Sequence, residues 1–339
     1  NNDAKGALLL EPTRSNLIPY SEDMSNWAKG GFMNVVSNQI ISPDGNLNAD
    51  KLTSNSNGSN YANINSTFAA NNGVSSIFLK SGTLTQAMIY HGGSSKGVYV
   101  DLTNGEFLSF YSSGAGLTFL SEYYGNGWYR YSISDTSTST SALEVYLAKN
   151  QQITTSYTTN DYLYAWGGQY EQQGSYATSY IPTSGSAVTR IADSSSQTVP
   201  DGVIGQTEGT VYWEINVQTT VATANENILN IDNGSGFGNT IYFIKGGNGN
   251  ITGEMYFSSS LQASFTKANI TKGVHKMAMG YANNNTAFFV DGVQVSTTDT
   301  SCTVPLMSRI QLGNGVFGAS DGLSNDLKLY NTRLSNSEL

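Results

Sequence analysis

Two imidazoles, His91 and His275, are the only histidine bases this chain can offer, and its one thiol is Cys302. Nucleophilic catalysis requires a base held beside the nucleophile. Gly318-Ala319-Ser320-Asp321-Gly322 spells G-x-S-x-G, but a nucleophile elbow joins a buried strand to a helix, and here a glycine-rich loop runs into a strand. It reads as an ordinary loop. Glycoside hydrolysis requires two carboxylates flanking the scissile bond. Glu214 and Glu254 are the strand-borne acids that face outward near aromatics, Tyr212 and Tyr256, and they read as solvated strand-face carboxylates. A lone cysteine closes no internal disulfide, and two widely separated histidines give zinc no ligand pair. Calcium needs only carboxylate and backbone oxygens, for which Asp50, Asp101 and Asp193 are the candidates, each equally a turn or surface acid. The string Gly246-Gly247-Asn248-Gly249-Asn250 lacks the lysine of a phosphate loop and reads as a hairpin turn.

Aromatic chemistry is what is left. Tyrosine occurs 21 times and phenylalanine 13 times, more rings than two modest cores should hide. A sugar ring packs its apolar face on an aromatic ring while Asn, Gln, Ser and Asp bond its hydroxyls, and the chain is rich in all of these. The outward rings by alternation are Tyr90, Tyr99 and Tyr146 in the first half and Tyr212 and Tyr256 in the second. The competing role for each ring is to fill a subunit interface or cover the other face of a sheet.

The elements that must carry these rings are strands. Helical periodicity is nearly absent, and short runs of Val, Ile, Tyr, Phe and Thr bounded by Gly, Asn and Ser recur at sandwich spacing. Val98, Val100 and Leu102 should face a core with Tyr99 and Asp101 outward, and Leu143, Val145 and Leu147 should do the same against Glu144 and Tyr146. In the second half Val211, Trp213, Ile215 and Val217 oppose Tyr212, Glu214 and Asn216. Asp291-Gly292 between apolar runs marks a tight hairpin. The expected fold is all-β, two tandem antiparallel β-sandwiches of jelly-roll type, over 1–195 and 205–339, with a polar linker or irregular edge segment at 196–204.

Composition narrows the partners. At 339 residues the chain has room for about two domains. Charged residues are only 12%, net charge is −9 and divides almost evenly between the halves, and mean hydropathy is −0.28. Without a basic cluster, neither nucleic acid nor an anionic membrane is an expected partner. No apolar run is long enough for a transmembrane helix, and the opening Asn1-Asn2-Asp3 has neither an initiator Met nor a signal-peptide core, so the chain reads as a processed or excised piece. Six Asn-X-Ser/Thr triplets, at Asn57, Asn65, Asn233, Asn250, Asn269 and Asn284, arise readily by chance in so Asn- and Ser-rich a sequence.

Two stretches carry a family resemblance. GALLLEPTRSNLIPYSEDMSNW, Gly6 to Trp27, and WGGQYEQQGSYATSYIPTSGSAVTRIAD, Trp166 to Asp193, resemble the start and end of a β-sandwich module of bacteriophage head-spike and tail-fibre proteins. Between them Ser42-Pro43-Asp44-Gly45, Ala49-Asp50-Lys51-Leu52, Lys80-Ser81-Gly82 and Gly127-Trp128-Tyr129-Arg130 keep that module's order, while Gly168 and Tyr170 depart from its usual Ala and Leu. Tyr123, Tyr124, Trp128 and Tyr129 match its strand motif, which implies a core place for Trp128. Over about 205–339 the chain resembles a concanavalin A-like or laminin-G-like jelly roll, carried by Ala287 to Val293, Ile310 to Gly313 and Gly322 to Asn331, running to Leu334-Ser335.

The resemblance implies a virion surface protein: a spike, head fibre or tail fibre that is not an enzyme and that binds host surface glycans. It also implies other virion proteins as partners, a homo-oligomer, usually a trimer, and no cofactor beyond a structural Ca²⁺. Two alternatives stay open. One is a purely structural capsid decoration or spacer without glycan binding. The other is an accessory module of a secreted polysaccharide-degrading enzyme.

Overall fold

The computed structural model describes residues 8–69, 72–93, 96–112, 114, 116–135, 141–172, 176–193, 195–217, 225–246, 249–312 and 322–339. The chain is all-β, as its alternation predicts, and forms two compact units. Arg14–Arg190 makes one of them; Ile191–Leu339 makes the other, together with the residues up to Thr13.

The Arg14–Arg190 unit is a sandwich of two six-stranded antiparallel sheets. One sheet runs, edge to edge, Phe107–Phe110, Lys96–Asp101, Gln86–Gly92, Ala142–Ala148, Ala62–Thr67 and Ala28–Gly31. The other runs Leu117–Tyr123, Trp128–Asp135, Gly73–Ser81, Tyr162–Gln172, Leu47–Ser54 and Met33–Ile41. Between them lies one apolar core that takes Ile64, Ile89, Val98, Val100, Leu143, Val145 and Leu147 from the first sheet and Leu52, Leu79, Tyr131, Ile133 and Leu163 from the second. Every residue expected inward in the strands at Val98 and Leu143 is there, because successive side chains on a strand point to opposite faces. Trp128 is buried, but on the outer side of its sheet with Phe78 and Trp166, its indole N–H donating to the Ile41 carbonyl at 3.1 Å. Arg14–Asn16 pairs with Val188–Arg190, so the two ends of this unit are zipped together.

The second unit is also a sandwich of two six-stranded sheets. The first contains Leu8–Leu10, Gly322–Tyr330, Glu208–Val217, Gly273–Ala282, Thr286–Val290 and Val293–Asp299; the second contains Ser195–Thr198, Arg309–Leu312, Glu226–Asp232, Asn239–Lys245, Ile251–Phe257 and Ser260–Lys267. Its core draws on Val211, Trp213, Ile215, Met279 and Phe288 from one sheet and Ile231, Phe243, Met255 and Phe265 from the other. The Asp291-Gly292 turn is the expected hairpin: both residues have positive φ, 52° and 74°, the conformation that a two-residue turn matching strand twist demands.

The division differs from the linear one expected at 1–195, 196–204 and 205–339. Leu8–Leu10 pairs antiparallel with Gly322–Tyr330, and Ser195–Thr198 pairs with Arg309–Leu312. The expected linker therefore begins as an edge strand. Pairing between strands so distant in sequence leaves no trace in local periodicity.

Candidate functional site

Tyr90, Tyr99 and Tyr146 lie on one face. Register sets Tyr99 opposite Met88, Met88 opposite Tyr146 and Tyr146 opposite Asn63. One row along, Gly97 faces Tyr90, Tyr90 faces Glu144 and Glu144 faces Asn65. All point away from the inter-sheet core, which their neighbours Val98, Ile89, Val145 and Ile64 fill.

Two further rings extend the patch. Tyr61 lies 6.2 Å from Tyr146, centroid to centroid, Tyr146 lies 6.1 Å from Tyr90, and Tyr90 lies 5.8 Å from Tyr111 in an edge-to-face contact. Tyr61 and Tyr111 are 41% and 43% exposed, more open than any ring expected here from the sequence. Glycines leave room for them: a methyl at Gly97 would stand 3.0 Å from the Tyr90 ring, and one at Gly30 would stand 3.0 Å from Tyr61. Sequence could have found Tyr61. Ala62 and Ile64 face the core, so Tyr61, Asn63 and Asn65 must face outward, but the asparagines hide this strand from a search for apolar runs. Tyr111 follows a strand whose register shifts beside Tyr99-Val100, which breaks the alternation.

Glu144 stands among the rings. Its Oε2 accepts from the Tyr146 hydroxyl at 2.8 Å and from the Asn63 amide at 2.9 Å. Burial, together with this bond to a carboxylate, pushes the Tyr146 phenol well above its ordinary range, so it stays a donor. Half-exposed rings beside fixed oxygens and amides form a surface on which an apolar ring face can stack while hydroxyls are bonded at its rim.

Tyr99 departs from expectation. It faces outward from the core but is only 5% exposed, packed with Met88 and Ala148 and against Leu108, Tyr146 and Ile153. Neighbouring strands and Ile153, in the loop after Ala142–Ala148, supply that cover, and the ring serves packing.

The second unit's two tyrosines lie on different sheets, Tyr212 in Glu208–Val217 and Tyr256 in Ile251–Phe257, and do not form a common site. Tyr212, like Leu339, packs against the buried cluster of Ala278, Ala287 and Phe289, with the Lys328 ammonium 5.0 Å from its ring centre. Tyr256 stacks on buried Tyr242 at 5.7 Å. Glu254 receives both their hydroxyls on Oε2 and the Ser264 hydroxyl on Oε1 at 3.0 Å, so its acceptors are occupied from within the sheet.

The remaining chemistry-bearing residues serve the fold. His91 is fully buried, its pKa pushed down to about 4 chiefly by desolvation, beside the interior Lys96–Asp135 ion pair at 3.1 Å. His275 bridges the Asp291 carboxylate and the Thr271 carbonyl at 2.8 and 2.9 Å. Cys302 is buried against Thr286. The G-x-S-x-G segment lies outside the described residues except for Gly322. Each calcium candidate is engaged locally: Asp50 accepts the Met24 and Asn38 amides, Asp101 that of Thr103, and Asp193 that of Glu11. Among the described residues no group of three or more acids, histidines or cysteines could hold a metal ion.

No family model matches the chain, and no curated protein matches it. Solved structures similar to part of it include the CBM40 domain of a Ruminococcus gnavus IT-sialidase, 16% identical over 40% of this chain and 82% of that one, TM-score 0.34. Domain 4 of an extracellular GH43 arabinanase from Geobacillus stearothermophilus, solved with arabinotriose, is 16% identical over 42% and 68%, TM-score 0.34. The binding domain of botulinum neurotoxin serotype D is 11% identical over 42% and 38%, TM-score 0.36. Likeness at this level assigns the chain no ligand.

Proposed function

We propose that this chain is a non-catalytic, glycan-binding protein of a bacteriophage surface, a spike, head-fibre or tail-fibre component, and that its first sandwich holds the sugar. One observation carries the binding role: four partly exposed tyrosines, Tyr61, Tyr146, Tyr90 and Tyr111, form a row of ring contacts on one sheet face, which also carries the Glu144 carboxylate bonded to Tyr146. The virion context, with other virion proteins as partners and a trimeric assembly, is supported by the sequence resemblance over residues 6–193.

The test is binding of the purified chain to candidate host cells and their extracted surface polysaccharides, with the same samples checked for depolymerisation. Saturable binding without cleavage, weakened in Tyr61→Ala and Tyr146→Ala, is the expected result. Cleavage would transfer the role to an enzyme or its accessory module. Lack of binding by the folded protein would favour a structural spacer. A specific observation favours that second reading: Phe107, Phe110, Leu120 and Tyr123 are exposed on two of the four edge strands of the first sandwich, one in each sheet, where subunits could pair.

A further inference from the structure

The charged positions that register places on the tyrosine face are Asp101 and Glu144, both acids. Three tyrosines elsewhere in the chain carry a cation: Lys51 sits 4.0 Å from the centre of Tyr162, Lys149 5.6 Å from Tyr157 and Lys328 5.0 Å from Tyr212. Among the described residues no such cation covers Tyr61, Tyr90, Tyr111 or Tyr146. The face therefore presents π surface and negative charge to the outside with no built-in counter-ion.

An open acceptor agrees with this. Glu144 spends Oε2 on Tyr146 and Asn63, whereas Oε1 takes no hydrogen bond from a described residue. Gly92 lies directly beside Oε1, where a methyl would come within 2.8 Å. A ligand group seated on this oxygen must bring an N–H or O–H donor, which a carboxylate or sulfate group does not. Aromatic faces grouped around a carboxylate attract a cation through ring quadrupole and charge together.

We infer that the face selects glycans bearing a protonated amino group, seated against Glu144 Oε1 and the tyrosine rings, and rejects sialic and uronic acids. This rests on the glycan-binding reading above, and Glu144 is its specificity-determining residue.

The experiment titrates the full chain, at one ionic strength and a pH that keeps the sugar amine protonated, with three probes of equal length: glucosamine oligomers, N-acetylglucosamine oligomers and hyaluronan oligosaccharides. The expected order is glucosamine first, by about tenfold or more over the N-acetylated oligomer, with hyaluronan weakest. Glu144→Gln, which keeps a carbonyl acceptor but not the charge, should shrink the glucosamine preference to about twofold, and Glu144→Ala should do the same. Asp201→Asn, on the second sandwich, should leave the preference unchanged, which separates local selection from the attraction of any polycation to an acidic protein. Hyaluronan binding as tightly as glucosamine, or an undiminished preference in both Glu144 variants, overturns the inference. Failure of all three probes while host polysaccharide still binds also overturns it and leaves the glycan-binding reading standing. Failure of the host polysaccharide as well removes both.

Discussion

The hydroxyl of Tyr146 donates to Glu144 Oε2 at 2.8 Å, two residues back along the same strand. The bond ties the ring that would stack on a sugar to the carboxylate that would accept from it, and it engages Oε2, leaving Oε1 as the oxygen without a hydrogen bond from a described residue. Tyr146→Phe keeps the stacking surface and removes the tie. Glycan affinity should fall by about 1 kcal/mol, the usual worth of one positioned hydrogen bond, with a small change in stability, and calorimetric titration beside thermal melting checks both.

Ring truncations should divide by exposure. Tyr61→Ala and Tyr90→Ala remove half-open rings, so each should weaken glycan binding by roughly 1 kcal/mol or more with little loss of stability. Tyr99→Ala removes a covered ring and should destabilise the first sandwich by roughly 3 kcal/mol. Tyr256→Ala should leave binding unchanged, since the Glu254 oxygens beside it are already taken. Binding isotherms paired with urea unfolding curves for the four variants read out this pattern.

Two buried groups of the first sandwich give opposite pH dependence. His91, pushed down to about 4 by burial, contributes stability that is complete above the unfolded histidine pKa of about 6.5 and is lost as pH falls toward 4. Asp50 is raised to about 6, mainly by desolvation, so its contribution is complete below the unfolded carboxyl pKa of about 4 and is lost as pH rises through 6. Over pH 4 to 6.5 the two slopes oppose. His91→Gln removes one of them, so its melting temperature, lower than the parent's at pH 7, should draw closer to the parent's as pH falls toward 5. A parallel pair of curves would contradict this assignment.

At the Asp291-Gly292 turn, desolvation works against ionisation of Asp291, but hydrogen bonds from His275 and the Lys276 amide prevail and hold its carboxyl below the usual range. Stability from a lowered carboxyl is present above the ordinary carboxylate pKa and lost as pH drops through the folded one. Asp291→Ala loses those bonds and places a methyl side chain at positive φ, so it should cost the second sandwich about 1–2 kcal/mol at pH 7. Asp291→Asn tolerates that φ and should cost less. Denaturant unfolding at pH 7 and pH 3, where the difference should narrow, tests both.

Strand alternation was legible because it is a local property: Val98, Val100, Leu143, Val145 and Leu147 face the core as their spacing requires, and Tyr90 and Tyr146 share the opposite face. The illegible part depends on partners distant in sequence. The cover over Tyr99 includes Ile153, whose placement comes from a loop, and Tyr212 and Tyr256 went to separate sheets by a strand order that no local pattern encodes. Tyr61 was within reach and was hidden by asparagines in its strand.

The pairing of Leu8–Leu10 with Gly322–Tyr330 has a consequence for synthesis. Arg14–Arg190 contains both its sheets and clasps its own ends, so it can complete its fold while the ribosome is still translating the second unit. The Leu8–Leu10 strand emerges before Arg14–Arg190, yet its partner is made long after that unit is complete. Throughout that interval it is a short apolar edge without a sheet, and the second sandwich closes only once Gly322–Tyr330 has left the ribosome. A strand made before either sandwich thus waits for a partner made after nearly all of both.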